Sequence, residues 1–379
     1  MLTAFACKEP DHVPVSPDIS AMVPIRLSGR PFDAMFIDGL PHHGYATVSV
    51  AQAYVDAVKY YGFDGWYIYG SLPEITPQDR PYWKSRLESL PNGGQVRYEV
   101  AQTPYGELTR RALYPTTDPP WEQEKPIKDL KSDWPRLRSM MGEDERWQWQ
   151  DKFIDRHRIG ELGVYSVAVG IPQDWWFFQR HGGFPVLYHD YIDSAAYIQE
   201  IFEFYQRYAL AKIKVACIAG ADEIMLGGSA SSLSVSSPKY FRKFDLPFIQ
   251  KAAELCKQYG VFSHLHVCGK SHKAVEMAAE ETEVDVIEPL EEPPGGDVDI
   301  ASFKQKYGSR VCLKGNINTF EFMLYATPTQ VEEKAKRLID DCAEGGGFVL
   351  STGDQCGRDT PDANLFKLVE VAQTYGRYS

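Results

Sequence analysis

Residues 264–272 read HLHVCGKSH, and the stretch leading into them, YGVFSHLHV, alternates apolar and polar residues as a strand does. His266 and Cys268 stand two positions apart, so on extended backbone both side chains leave the same face, as two ligands of one ion require. Cys356 lies far along the chain, in the segment GDQCGRDTP. One imidazole and two thiolates make a three-donor set of the kind that holds a catalytic zinc with a fourth position left for substrate. The same residues have a plainer reading, because cysteine is among the most buried residue types and can simply fill a core. Cys217, Cys256, Cys312 and Cys342 fall on helices or in mid-strand and read as core. His264 and His272 read as structural groups or as groups that orient a ligand.

The elements that must position these residues are short apolar or β-branched runs alternating with longer segments of helical period. The runs span 13–19, 65–70, 163–170, 222–228, 261–267, 284–289, 311–316 and 347–352. Helices are expected over 47–62, 191–219, 238–259, 271–282, 328–344 and 361–375, with Ser237, Ser271, Thr327 and Thr360 as possible N-caps. Strands alternating with helices in this way predict a single-domain (β/α)8 TIM barrel over 1–379. Residues 95–116 alternate on both sides of TPYGE and predict a β-hairpin inserted after the second strand, followed by a polar, proline-rich segment over 117–135.

In such a barrel the active site is built at the C-terminal ends of the strands. That rule gathers His266 and Cys268 with Glu288, Asn316, Asp354 and Cys356. Asp354 and Asp359 are possible acids or bases, and equally possible turn or capping residues. The stretch PQDWWFFQRHGGFP directly follows the third run, so Trp175, Trp176, Phe177 and Phe178 either wall a pocket or fill core. Trp66, Tyr67 and Tyr69, near the end of the second run, carry the same two readings.

A formal net charge of −12 without a Lys/Arg-rich block argues against nucleic acid as partner. No apolar run is long enough to span a bilayer, and Lys8, Glu9 and Asp11 interrupt any secretory signal, so no membrane partner and a cytoplasmic location are expected. Seven scattered cysteines fit reduced thiols better than a disulfide framework.

Several segments resemble the uroporphyrinogen decarboxylase superfamily, which includes zinc-dependent corrinoid methyltransferases: SSPKYFRKFDLPFIQK (236–251), HLHVCGKS (264–271), CLKGNINTFEF (312–322), TPTQVEEKAKRLID (327–340) and GGGFVLSTGDQCGRDTPDANL (345–365). The resemblance implies that His266, Cys268 and Cys356 bind zinc, with Glu223, Glu288 or Asp354 as a fourth ligand or catalytic group. True decarboxylases carry a histidine where this chain has Asp354, although RLSGR keeps their two-arginine spacing with Arg26 and Arg30.

The activity the resemblance implies is transfer of a methyl group between a donor and the cobalt of a corrinoid carried by a separate protein. Zinc would either polarise an ether oxygen or lower the pKa of a thiol. The aromatic residues favour a methoxylated aromatic donor, held by Trp175, Trp176, Phe177, Tyr67, Tyr69 and Asn316. Methyl transfer from methylcobamide to a thiol and a metal-free decarboxylase are the alternatives, and a non-catalytic barrel with a structural zinc is the reading from another class.

Overall fold

A computed structural model describes residues 1–37, 47–67, 81–141 and 159–378. Eleven strands fall into two sheets among these residues. The larger is wholly parallel in the order β1 (Gly65–Tyr67), β6 (Gly163–Gly170), β7 (Glu223–Gly227), β8 (Phe262–His266), β9 (Val286–Glu288), β10 (Cys312–Ile317) and β11 (Phe348–Thr352). Its last two strands are buried on both faces: β10 and β11 have no exposed residue. That burial explains why they read as continuous apolar runs in sequence.

The expected first strand over 13–19 is a correction. Only Val15 bridges to Leu350, but the segment still touches both edges of the sheet. Ser16 N–H donates to Leu350 O at 2.9 Å and Leu350 N–H to Pro14 O at 2.8 Å, while Asp64 N–H, just before β1, donates to Val15 O at 2.9 Å. Pro14 and Pro17 have no N–H to give to a ladder, which keeps this eighth position from becoming a regular strand.

The insertion is also larger than a hairpin. The hairpin itself is present as β3 (Gln95–Thr103) and β4 (Gly106–Tyr114), in register from Gln95↔Tyr114 to Thr103↔Gly106. Outer strands β2 (Lys84–Ser89) and β5 (Trp121–Glu124) extend it to a four-stranded antiparallel sheet, so part of the polar segment after 116 is strand. Its inner face is anchored at two places. Leu108 packs with Trp134, Trp176 and Phe202, and Ala112 and Tyr114 pack with Phe32 and Phe36.

The expected helix over 191–219 is two helices, Gly183–Asp193 and Ala195–Ile218. Among the N-caps, Ser237 accepts from Tyr240 N–H and Thr327 forms a full capping box with Gln330. Ser271 occupies the cap position without a side-chain bond, and Thr360 is not a cap, because Pro361 holds that place before Asp362–Thr374. No helix among the described residues is long and apolar enough to cross a membrane.

The short helix Leu2–Phe5 covers the N-terminal ends of strands of the parallel sheet. Ala4 and Phe5 pack with Val164, Val286, Cys312 and Val349, at or near the starts of four strands. The Phe5 ring lies 5.7 Å from Phe262 and 6.0 Å from the ring of His264. Phe5→Ala should therefore cost about 3–5 kcal/mol of stability, read as a lower urea midpoint with an unchanged slope.

Candidate metal centre

Toward their C-terminal ends the even-numbered residues of β8 and β10 are polar: His264, His266, Lys314 and Asn316. Glu223 Oε1 accepts from the Trp66 indole N–H at 2.8 Å and the Ser166 hydroxyl at 2.9 Å, and meets His264 Nδ1 at 3.0 Å. The Lys314 ammonium lies 3.8 Å from the centre of the Trp66 ring and ion-pairs with Glu288 Oε2. Glu223, His264 and Lys314 are fully buried. Burial alone would raise the Glu288 carboxyl, but Lys314, His264 and His266 hold it well below the carboxylate range.

Glu288 connects this layer to the mouth, because its other oxygen, Oε1, takes His266 Nδ1 at 2.9 Å. An ionised carboxylate only accepts, so His266 Nδ1 carries the proton and Nε2 is left to face a ligand. Burial opposes charge on His266, yet its hydrogen bonds with Cys268 and Glu288 raise its pKa well above the usual imidazole value. Metal binding through that ring would therefore release a proton.

Above His266 the donors converge. Among the described residues, the Cys268 thiol and one carboxylate oxygen each of Glu291 and Asp354 lie within 4.8 Å of one another. Glu291 is held by the Gly269 N–H. Gly353 permits the approach of the last loop: a Cβ there would meet Asn316 O at 3.0 Å and Glu291 Cγ at 3.3 Å. Asp354 sits at φ = 148°, an uncommon value for a residue with a side chain, and its carboxylate accepts from Gln355 N–H at 2.8 Å. A thiol, two carboxylates and an adjacent imidazole oriented by a third carboxylate suit a divalent cation such as zinc.

Cys356 is close in the chain to Asp354 but outside that group. Its N–H is fixed to Asp18 O at 2.7 Å. Burial and the charge of Asp18 push its thiol up to about 12, against hydrogen bonds with Thr352 and Thr360. Glu223 lies a layer deeper, on His264, and Asn316 is buried with its amide donating to Leu290 O at 2.8 Å, which supports the turn that presents Glu291. Asp359 is paired with Arg358 at the surface.

The aromatic residues mostly pack on one another. Trp176 is fully buried with edge-on contacts to Trp134 and Phe202, Trp175 stacks on Tyr205 at 4.2 Å, and Phe177 lies between Phe184 and the Lys125 ammonium. Phe178 is partly exposed beside Phe177. Tyr67 is core, stacked on Tyr165. Tyr69 lies outside the described residues.

Residues 181–375 match the family described as Uroporphyrinogen decarboxylase (URO-D). The chain belongs to this family. Within it, curated relatives include the methylcobamide:CoM methyltransferase MtbA of Methanosarcina mazei and that of Methanosarcina acetivorans, each 25% identical over 56% of this chain and 57% of the relative. A uroporphyrinogen decarboxylase of Chlorobium phaeobacteroides is 25% identical over 56% of either chain. The chain thus spans little more than half the length of the curated relatives it matches. A solved methyltransferase from Methanosarcina mazei has the same fold, with a TM-score of 0.67 and 16% identity over 99% of this chain and 97% of that one.

Set beside the decarboxylases of the family, the arginine pair is engaged elsewhere. Arg26 ion-pairs with Asp362 and meets the Tyr61 hydroxyl at 3.3 Å, and Arg30 donates to Ser49 at 3.2 Å. Sequence reasoning missed Glu291 and Asp174. Asp174 follows β6 directly, and the strand-end rule could have found it. It is nine-tenths buried, accepts from Ala230 N–H at 2.8 Å, and is raised to about 6 by burial.

Two outcomes follow from these charges. Lys314→Met leaves the Glu288 carboxylate buried without its partner and should destabilise by about 3–5 kcal/mol. The double variant Lys314→Met/Glu288→Gln should recover most of that in urea unfolding. Burial raises Asp18 and Asp174 to about 6 and Asp245 to about 7. Between the unfolded carboxyl value and these pKa values the folded protein holds protons that the unfolded chain has lost, so stability falls as pH rises through that window. The metal-free protein should have a higher urea midpoint near pH 5 than near pH 8, and Asp174→Asn should reduce the difference, leaving the share of Asp18 and Asp245.

Proposed function

We propose that the chain is a zinc-dependent methyltransferase that moves a methyl group between the cobalt of a corrinoid carried by a partner protein and a small-molecule thiol. The observation that carries the reading is the convergence of Cys268, Glu291 and Asp354 beside His266 at the strand ends. The MtbA relatives, named for methylcobamide and CoM, support the corrinoid and the thiol. His266 and Cys268 would hold the ion with Asp354 or Glu291. Cys356, whose thiol now meets the Thr352 and Thr360 hydroxyls, would be a further ligand.

Zinc bound there would lower the pKa of a thiol so that it is a nucleophile at neutral pH. The protein's own part is positional. Glu288 turns Nε2 of His266 toward the site, Lys314 keeps Glu288 ionised, and Glu291 and Asp354 balance the charge of the ion. The aromatic methyl ether expected from sequence has less support, because Trp176 and Tyr67 serve the core and Phe177 is covered by Phe184 and Lys125. A decarboxylase pocket built on Arg26 and Arg30 has less still, since Arg26 is committed to Asp362.

The test combines metal analysis with turnover. Purified protein should contain about one zinc per chain, with Cys268→Ser and Cys356→Ser sharply depleted. Methylcobalamin should lose its methyl group to small thiols in the presence of the wild-type protein, followed by its visible absorbance. Glu288→Gln should weaken metal affinity or rate about 10–100-fold. Zinc-replete protein that leaves methylcobalamin untouched with every thiol, and instead methylates cob(I)alamin from methoxylated aromatics, would reverse the choice of methyl partner.

A further inference from the structure

Beside the metal centre the rim of the barrel lacks side chains. Gly170, Gly227 and His266 pair in register across β6, β7 and β8, so two glycines lie next to a candidate ligand on consecutive strands. Neighbouring strands are about 4.8 Å apart, so the space over the two glycines lies beside His266, and Asp174, Trp175 and Met225 border it. A Cβ on Gly170 or on Gly227 would come within 3.5 or 3.8 Å of the same atom, Asp174 Oδ2. The other oxygen of Asp174 is bound to Ala230 N–H, whereas Oδ2 accepts no hydrogen bond from the described residues. A buried carboxylate with one oxygen anchored and the other set over the two glycines beside His266 is placed to receive a ligand.

The surrounding charge says which ligand. Glu288, Glu291, Asp354 and Asp18 lie on the neighbouring loops and strand ends, and Lys314 is committed to Glu288. Lys125 is the other cation in the field of Asp174, but its ammonium donates to Phe177 O at 2.5 Å and lies over the Phe177 ring at 3.5 Å. No ion pair joins Lys125 to Asp174 among the described residues. A metal ion would neutralise the ligand group itself and leave Asp174 as an anion on the substrate side.

We propose that Asp174 anchors the small-molecule substrate through a protonated amine, so that the site selects a cationic thiol or thioether over an anionic one. The inference rests on the methyltransferase reading above and adds the substrate class. The ammonium hydrogen-bonds Asp174 Oδ2 while the sulfur, on a short linker over the two glycines, reaches toward His266 and Cys268. The selectivity arises from charge, because Asp174→Asn keeps the size of the side chain and an oxygen for Ala230 N–H.

The experiment titrates the cobalt(II)-substituted protein with 2-aminoethanethiol and with 2-mercaptoethanesulfonate, thiols of similar length and opposite charge, following thiolate-to-metal charge-transfer absorbance. Wild type should bind the aminothiol at least about tenfold more tightly. Asp174→Asn should erase that preference while the sulfonate binds as well as before or better. Equal or tighter binding of the sulfonate by wild type, or a preference that survives in Asp174→Asn, overturns the proposal with the metal reading intact. Absence of any charge-transfer response to either thiol overturns the thiol reading and the proposal together. Unfolding midpoints of both proteins at one pH confirm that the variant is compared in its folded state, and the wild-type ranking decides the matter even if the variant does not fold.

Discussion

A lysine and a glutamate meeting in the buried interior beneath the ends of the parallel strands set most of what happens above them. The Lys314–Glu288 pair is costly to bury and costly to break, since either partner alone would be an uncompensated charge in a low-dielectric interior. Its yield is orientation rather than stability. With Lys314 on one oxygen, Glu288 stays ionised and can only accept, so His266 is held in one tautomer with its free nitrogen outward. Trp66 below, through Lys314 and Glu223, keeps the same network from rotating. The candidate metal centre is thus positioned from beneath by a polar column, not only from the sides by its loops.

The acids at the mouth divide into two kinds. Glu288 is held ionised by its neighbours, whereas Asp18 and Asp174 resist ionisation because burial has taken water from them. A cation offered to the second kind relieves a penalty that the fold already carries, which is how a barrel can be made to favour a positively charged guest without adding a contact.

How much of this was legible in the sequence depended on whether a residue's direction follows from local periodicity. The expectation for His266 and Cys268 came from the period-2 alternation of β8 and the residues just past it, and β10 and β11 were legible because a fully buried parallel strand is a continuous apolar run. Glu291 was not, because the choice among the acids after β9 is made by a turn in which Leu290 takes φ = 57°, which no periodicity announces. Cys356 was expected among the ligands, but its thiol stands outside the group of Cys268, Glu291 and Asp354 and is met by Thr352 and Thr360. The outer strand β2 escaped notice because every residue in it is exposed and no apolar alternation marks it. The aromatic run after β6 misled for the opposite reason: composition marks such residues for burial without saying whether the burial is in a pocket or a core.

The seam made by residues 13–16 has a consequence for the order of events in folding. The Ser351 hydroxyl bonds Ser16 O, and the two residues are 335 positions apart. Contacts of such separation carry a large loop-closure entropy and come late. A chain emerging from the ribosome must hold the Val15 segment in waiting while six of the seven parallel strands are made. His266, Cys268 and Glu291 are then translated before Asp354 and Cys356, so an ion captured early would meet an incomplete set of donors, and the final strand of the parallel sheet also delivers the last of the candidate ligands.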